Sequence, residues 1–151
     1  MSNLDAFLTM IAISEGTEPI GQHGYDCIVG STPQNPHLFP SYADHPRIKV
    51  RLSPSLVSTA AGRYQILERY FDAYKGQLNL PDFSPSSQDA IARQMIRERG
   101  AFADVVAGRF DEAVGKCANL WASLPGNAYG QHQNALTALR EAFTAVGGVV
   151  A

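Results

Sequence analysis

Asn3-Leu4-Asp5-Ala6-Phe7-Leu8-Thr9-Met10-Ile11-Ala12-Ile13-Ser14-Glu15-Gly16-Thr17 carries a helical signature near the start of the chain. Leu4, Phe7, Leu8 and Ile11 recur at i, i+3, i+4 and i+7, the spacing that stacks side chains on one helix face. Asn3 or Asp5 is suited to cap the start, and Gly16 to end it. Beyond this helix the character changes. From about Pro19 to Pro54 the chain holds most of its prolines, several glycines and only short apolar runs such as Tyr25–Val29. Within it, Arg47-Ile48-Lys49-Val50-Arg51-Leu52 alternates strictly, the pattern of a half-buried strand.

From Ala60 onward helical signals return. The spacing predicts a helix over Arg63–Tyr74 with Tyr64, Leu67, Tyr70 and Phe71 on one face. Ser84-Pro85 places an N-cap before a proline at the first helical position, Ala90, Ile91, Met95 and Ile96 follow at helical spacing, and Gly100 closes that helix. Val105–Val106, Ala113–Trp121 and Leu136–Phe143 predict three further short helices, punctuated by Gly108 and Leu124-Pro125-Gly126. The layout is α+β in one domain over residues 1–151. A lone helix precedes a small β-rich lobe at about 19–54 and a larger helical lobe at about 60–146. Where two such lobes meet, a cleft suited to a ligand is expected.

The chain's 151 residues suit one compact domain. Apolar residues make up 45% and charged residues 17%, and the net charge of −2 gives no reason to expect nucleic acid. No apolar run approaches the roughly 20 residues of a membrane span. Asp5 interrupts the N-terminal apolar stretch, no basic residue precedes it and no cleavage site follows, so synthesis in the cytoplasm without a signal peptide is expected. Cys27 and Cys117 are too few for a disulfide framework and read as buried free thiols.

Glu15 stands at the C-terminal end of the first helix, where the negative end of the helix dipole disfavours a carboxylate. Desolvation by apolar neighbours such as Ile11 and Ile13 would also raise its pKa. An acid kept protonated near neutral pH can protonate the leaving oxygen of a glycosidic bond. Taken alone, the position better suits an ordinary surface glutamate near a helix end.

Several short strings narrow that choice. They are Ser14-Glu15-Gly16-Thr17; His23-Gly24-Tyr25-Asp26 with Ile28-Val29-Gly30; Asp44-His45-Pro46-Arg47; and Ser58-Thr59-x-Ala61-Gly62-Arg63-Tyr64-Gln65. Phe83-Ser84-Pro85 with Ser87-Gln88-Asp89, Glu98-Arg99-Gly100-Ala101, and Trp121-Ala122-Ser123-Leu124-Pro125-Gly126-x-x-Tyr129-Gly130-Gln131 follow. In this order the chain resembles the lambda-type phage endolysins. The resemblance implies a lysozyme-like fold and a lytic transglycosylase, a lyase that cleaves the β-1,4 bond between N-acetylmuramic acid and N-acetylglucosamine in peptidoglycan. It implies a 1,6-anhydro ring on the muramic acid, and it maps the catalytic glutamate onto Glu15. In that mechanism Glu15 protonates the leaving oxygen and then takes the proton of the muramyl C6 hydroxyl as that oxygen attacks C1. No second carboxylate is needed to position water or to form a glycosyl-enzyme.

Asp26 is the best candidate for the second carboxylate of a true hydrolase, but its string also belongs to the transglycosylases, so a structural or sugar-binding role is favoured. Gly62–Gln65 is expected to open a helix and aim Tyr64 and Gln65 at the cleft, the ring packing on sugar and the amide hydrogen bonding; Tyr64 as core is equally open. Tyr129 and Gln131, after the Pro125-Gly126 turn, are expected to approach the sugar from the helical lobe, with hydroxyl contacts from Ser58 and Thr59. Ala60 stands where the family commonly has Gly, which bears on how closely the backbone there approaches a sugar. Arg47, Lys49 and Arg51 share one face of the predicted strand, either facing solvent or attracting wall carboxylates.

Three other functions compete. A zinc amidase would need ligands from His23, His45, His132, Asp44 or Cys27, yet no histidines sit at i, i+4 on a helix and no Cys-x-x-Cys exists. No metal or other cofactor is therefore expected. A non-catalytic wall-binding module would not need Glu15, and a hydrolytic muramidase would use the same fold. The expected partner is the glycan strand, met by a monomer without membrane insertion, after release by a separate holin-like, membrane-permeabilising protein.

Overall fold

The computed structural model describes residues 1–130 and 132–151. In chain order its elements are α1 (Asn3–Glu15), β1 (Val50–Ser53), β2 (Leu56–Ser58), α2 (Glu68–Gln77), α3 (Pro85–Glu98), α4 (Phe102–Ala107), α5 (Phe110–Cys117) and α6 (Leu136–Ala145). Among the described residues no helix is long and apolar enough to cross a membrane. The residues group into two units, Met1–Glu15 with Ala92–Ala151 and Gly16–Ile91, the boundary falling inside α3.

In the first unit α1 packs against α4 and α6. Ala6, Phe7, Leu8, Met10, Ile11 and Ala12 are all buried, so α1 is apolar around much of its circumference, as befits a helix inside a core. Phe7 meets Phe110 edge-on with centroids 6.1 Å apart, and Phe110 lies 5.0 Å from Phe143 of α6. The cap of α1 is Ser2, not Asn3 or Asp5: its Oγ accepts the Asp5 amide at 3.1 Å and donates to Asp5 Oδ2 at 2.9 Å. That reciprocal pair needs a side chain one residue before the helix, and Asn3 is already inside it. The Asn3 side chain ties down the C-terminal segment instead, donating to the carbonyls of Val106 and Val149 and accepting the Val149 amide. Asp104 joins α4 to α5 by accepting from Arg109 and Lys116, which hold its carboxyl below the usual range.

In the second unit regular strand is scarce. β1 and β2 form an antiparallel hairpin with Val50 opposite Ser58, Arg51 opposite Val57 and Ser53 opposite Leu56, irregular between Arg51 and Ser53. The strand begins at Val50 instead of Arg47, and of the predicted apolar alternation only Val50 is half-buried, Ile48 and Leu52 being 44% and 42% exposed; Leu56 and Val57 of β2 are 41% and 46% exposed. Arg47 precedes the strand in a left-handed backbone conformation and pairs with Asp44 and Asp72 at 2.8 and 2.6 Å. It therefore shares no strand face with Lys49 and Arg51.

The core of this unit is aromatic, built from Phe39, Tyr64, Phe71, Phe83 and the buried His45. The His45 ring lies 4.9 Å from Phe83 and 5.9 Å from Phe71. Its Nε2 faces the Ile66 carbonyl at 2.9 Å, which can only accept, so Nε2 carries the proton; Nδ1 accepts the Arg47 amide at 3.0 Å. Protonating Nδ1 would set two donors against each other. Burial in the aromatic core is the larger cause holding the His45 pKa below its ordinary value. A lowered folded pKa means the unfolded chain binds the extra proton first, so His45 contributes stability that is present above its unfolded pKa and lost as pH falls. Thermal unfolding should therefore show a melting temperature that drops on acidification below about pH 6.5. His45→Asn should melt lower at neutral pH but with a shallower acid slope, and an unchanged slope would mean that other groups control acid unfolding.

The helix expected over Arg63–Tyr74 begins only at Glu68. Gly62–Gln65 instead forms a tight loop closed by reciprocal backbone bonds between Ala61 and Ile66. Gly62 sits at φ +80°, and a Cβ there would come 2.3 Å from Gln88 Oε1. The glycine thus lets the buried Gln88 reach in, accepting the Arg63 amide at Oε1 and donating from Nε2 to the carbonyls of Tyr25 and Phe83. α3, α4 and α6 fall where the spacing predicts them, α5 runs Phe110–Cys117 and ends short of the predicted Trp121, and Ser84 accepts the Ser87 amide at the start of α3. Cys27 and Cys117 are both free and buried.

Candidate active site

Glu15 is the last residue of α1, and Gly16 at φ +81° takes the left-handed conformation that ends the helix. Burial of the carboxyl pushes its pKa up to about 7, while a hydrogen bond from the Ser123 hydroxyl pulls the other way. Of the two neighbours named from sequence, Ile11 is buried but Ile13 is 39% exposed. Around Glu15 lies a set of groups that sequence reasoning missed. Ser14 Oγ is 2.8 Å from Ser123 Oγ, and Asn134 Nδ2 donates at 3.0 Å both to the Ser14 carbonyl and to Ser14 Oγ. The Asn134 amide also donates to the Ser123 carbonyl at 2.8 Å. Ser14 and Ser123 lie within two of the strings that carry the resemblance; Asn134 lies outside all of them, so no signal in the chain marked it.

Ser123 is held by its neighbours in sequence. Trp121 and Leu124 on either side are buried, and Asn127 Nδ2 donates to the carbonyls of Ala122 and Leu124, pinning the turn. Tyr129 follows on the same segment, 55% exposed, with its hydroxyl donating to the Asn119 carbonyl at 2.6 Å, so the ring is held in place and accessible. Gln131 lies outside the described residues.

The remaining sequence-named residues belong to the Gly16–Ile91 unit. Asp26 Oδ1 accepts the Gln22 amide at 2.9 Å, and the side chain lines a cavity of about 370 Å³ with Gln22, Phe39 and Tyr42. Ser58 Oγ accepts the Ala60 amide, and Thr59 Oγ1 accepts the Glu68 amide at the first residue of α2. Thr59 thereby acts as a remote cap, since Leu67 at the cap position offers no side-chain acceptor. Gln65 is half-buried at φ +51°, its Nε2 donating to the Gly62 carbonyl.

Tyr64 departs from the sugar-stacking expectation. It is 1% exposed, and its hydroxyl donates to Asp89 Oδ1 at 2.6 Å, the oxygen that also accepts Tyr25 at 2.8 Å. The two phenol rings meet edge-on, and the Arg63 guanidinium, paired with Glu18, lies 5.2 and 5.9 Å from their centroids. The loop that replaces the expected helix turns Tyr64 inward. It is a core residue with no ring face left for a ligand. As for metals, among the described residues no group of three or more His, Cys, Asp or Glu side chains is placed to hold one.

Comparison with known proteins places these residues in context. A family model described as Endolysin matches residues 5–150. The endolysin of Escherichia phage lambda is 51% identical over 149 residues, covering 96% of this chain and 91% of that protein. The endolysin of Escherichia phage P2 is 47% identical over 159 residues, with 99% and 95% covered. A solved structure of bacteriophage lambda lysozyme complexed with a chitohexasaccharide superposes with a TM-score of 0.93 at 49% identity, covering 100% of this chain and 98% of the other. A second structure of lysozyme from bacteriophage lambda gives 0.89 at 48% identity over the same shares.

Proposed function

The chain belongs to the endolysin family, and we propose that it cuts the β-1,4 bond between N-acetylmuramic acid and N-acetylglucosamine by lytic transglycosylation, with Glu15 as its single acid and base. Its fold is lysozyme-like α+β, and as an endolysin it is a peptidoglycan-cleaving enzyme. The observation that supports Glu15 as acid and base is its burial at the end of α1, which pushes its carboxyl up to about 7, while the family resemblance supplies the transglycosylase reading. A carboxyl at about 7 is populated in both forms near neutrality, which suits one group that must give a proton and then take one.

Protonated Glu15 delivers its proton to the glycosidic oxygen as the C1–O bond breaks. The resulting carboxylate then removes the proton of the muramyl C6 hydroxyl as O6 bonds to C1. The glycan closes into a 1,6-anhydro ring, Glu15 is protonated again, and no water is consumed. Tethering of the C6 hydroxyl to the reacting ring supplies the orientation that a positioned water would otherwise need.

The lambda lysozyme complex with a chitohexasaccharide supports a glycan-binding role for this chain. Asp26, Ser58, Thr59, Gln65 and Tyr129 are the proposed contributors among the described residues, Tyr129 by its open ring and the others by hydrogen bonds. The enzyme is taken to act as a monomer that reaches the wall after a separate membrane-permeabilising protein releases it.

Mass spectrometry of digested peptidoglycan tests the reaction. Products should be anhydromuramyl fragments about 18 Da lighter than their hydrolysed counterparts, the mass of one water, with no new reducing ends. Asp26→Asn should retain turnover. Stoichiometric reducing termini on muramic acid, together with loss of activity in a folded Asp26→Asn variant, would convert the reading to a hydrolase.

A further inference from the structure

We propose that the cavity holding Asp26 receives a primary ammonium on an aliphatic stem, the group that a diamino acid in the peptide stems of the wall presents. This deepens the glycan-binding reading and rests on it, since those stems hang from the same strand. The cavity lies wholly within the Gly16–Ile91 unit, and its volume of about 370 Å³ falls in the range of small-molecule sites, roughly 300–1,000 Å³. Its charge balance points to a cation. No lysine, arginine or histidine lines it, so Asp26 brings a negative charge there with no positive side chain beside it. Asp26 Oδ1 accepts the Gln22 amide at 2.9 Å, and among the described residues no donor meets Oδ2.

A carboxylate in a partly enclosed place gains most from a partner that brings both a positive charge and a hydrogen to donate, because a charge-assisted bond is roughly twice as strong as a neutral one. A sugar hydroxyl brings no charge. The rest of the lining suits the stem. Leu38, Phe39 and Pro40 offer apolar walls to methylene groups, which the hydroxyl-bearing ring of an amino sugar would meet poorly. The Tyr42 hydroxyl gives its hydrogen to Gln22 Oε1 at 2.7 Å, which leaves the phenol oxygen as a second acceptor for the ammonium. Burial first, and then the Asp26 charge, raise the Tyr42 pKa, so the phenol keeps that hydrogen. The walls are fixed before any ligand arrives. Phe39 meets Tyr42 edge-on at 5.8 Å, and the Tyr42 carbonyl accepts the Phe83 amide at 2.8 Å. Gly21, at φ +55°, makes room for the carboxylate: a Cβ there would stand 2.3 Å from Asp26 Oδ1 and 2.8 Å from Leu38 Cδ2. Asp26 is in this role a binding residue and touches no reacting atom.

The test is an NMR titration of the intact protein with diaminopimelate, with its N-acetylated form and with short chitosan oligomers. Diaminopimelate should shift the amide resonances of Gln22, Asp26 and Tyr42. Acetylation removes the charge and should weaken binding by about tenfold or more. Asp26→Asn should weaken binding of the free amine by a similar factor. Gly21→Ala should do the same by displacing the carboxylate, and where that variant fails to fold the Asp26→Asn protein carries the test. Equal binding of the acetylated form, or undiminished binding by folded Asp26→Asn, overturns the ammonium site, as does an absence of shifts at these residues. Shifts produced by the chitosan oligomers and not by diaminopimelate would assign the cavity to an amino sugar and overturn the peptide-stem assignment. Failure of the glycan reading looks different: chitohexaose would then leave the protein's resonances unmoved while diaminopimelate still bound.

Discussion

Glu15→Gln is expected to lose lytic activity by at least about 10³-fold while remaining folded. The amide has the shape of the acid and can still accept from Ser123, but it neither gives nor takes a proton at any pH used for the assay. The same substitution makes a second, opposite prediction about stability. The Glu15 pKa is raised from an ordinary 4.5 to about 7 in the folded protein, so the native state binds a proton more readily than the unfolded chain. Stability from that group is complete below about pH 4.5 and declines as pH rises through about 7. Above neutrality the wild type keeps an ionised carboxylate in a desolvated place, and Glu15→Gln does not. The variant should therefore melt at a higher temperature than the wild type at pH 8, and the gap should close toward pH 5. Clearing of a peptidoglycan suspension at the parental rate by the folded variant would remove Glu15 from the chemistry. Equal melting temperatures across the pH range would show that its carboxyl is not desolvated.

Tyr64→Ala is expected to cost about 3–5 kcal/mol of stability and to lower the melting temperature by on the order of 10 °C. The ring is 1% exposed, so its removal leaves a cavity in the aromatic core of the Gly16–Ile91 unit. It also takes one of the two phenol donors from Asp89 and removes the ring that lies beside the Arg63 guanidinium. Tyr64→Phe isolates the hydrogen bond and should cost about 1 kcal/mol, since Tyr25 continues to donate to the same oxygen. Differential scanning calorimetry of both variants separates packing from polar contact. A Tyr64→Ala protein with the parental melting temperature and weakened binding of chito-oligosaccharides would show that the ring serves the sugar and not the core.

The contrast between Glu15 and Tyr64 marks where reading the chain succeeds. The place of Glu15 at the end of α1 was legible because it is set locally, by an apolar helix and the glycine that ends it, whereas its proposed role came from the strings that carry the family resemblance. The helices from α3 onward were legible for the same reason, since Ser84-Pro85 and Gly100 punctuate an apolar repeat whose period is a property of the backbone. Tyr64 was not legible, because the same apolar spacing suits a helix face or a buried loop. The choice was made by Gly62 at φ +80°, the Ala61–Ile66 backbone pair and Gln88 arriving from 25 residues away. The strand alternation at Arg47–Leu52 failed similarly: Arg47 was drawn off by Asp44 and by the distant Asp72, and no such ion pair leaves a trace in a period-two pattern. What the chain determined by itself is the order of its helices, its family and the acid at the end of α1. What tertiary structure alone decided is which side chains turn inward and which polar groups gather beside the end of α1, because Ser14, Ser123 and Asn134 come together only when segments 109 and 120 residues apart are packed side by side.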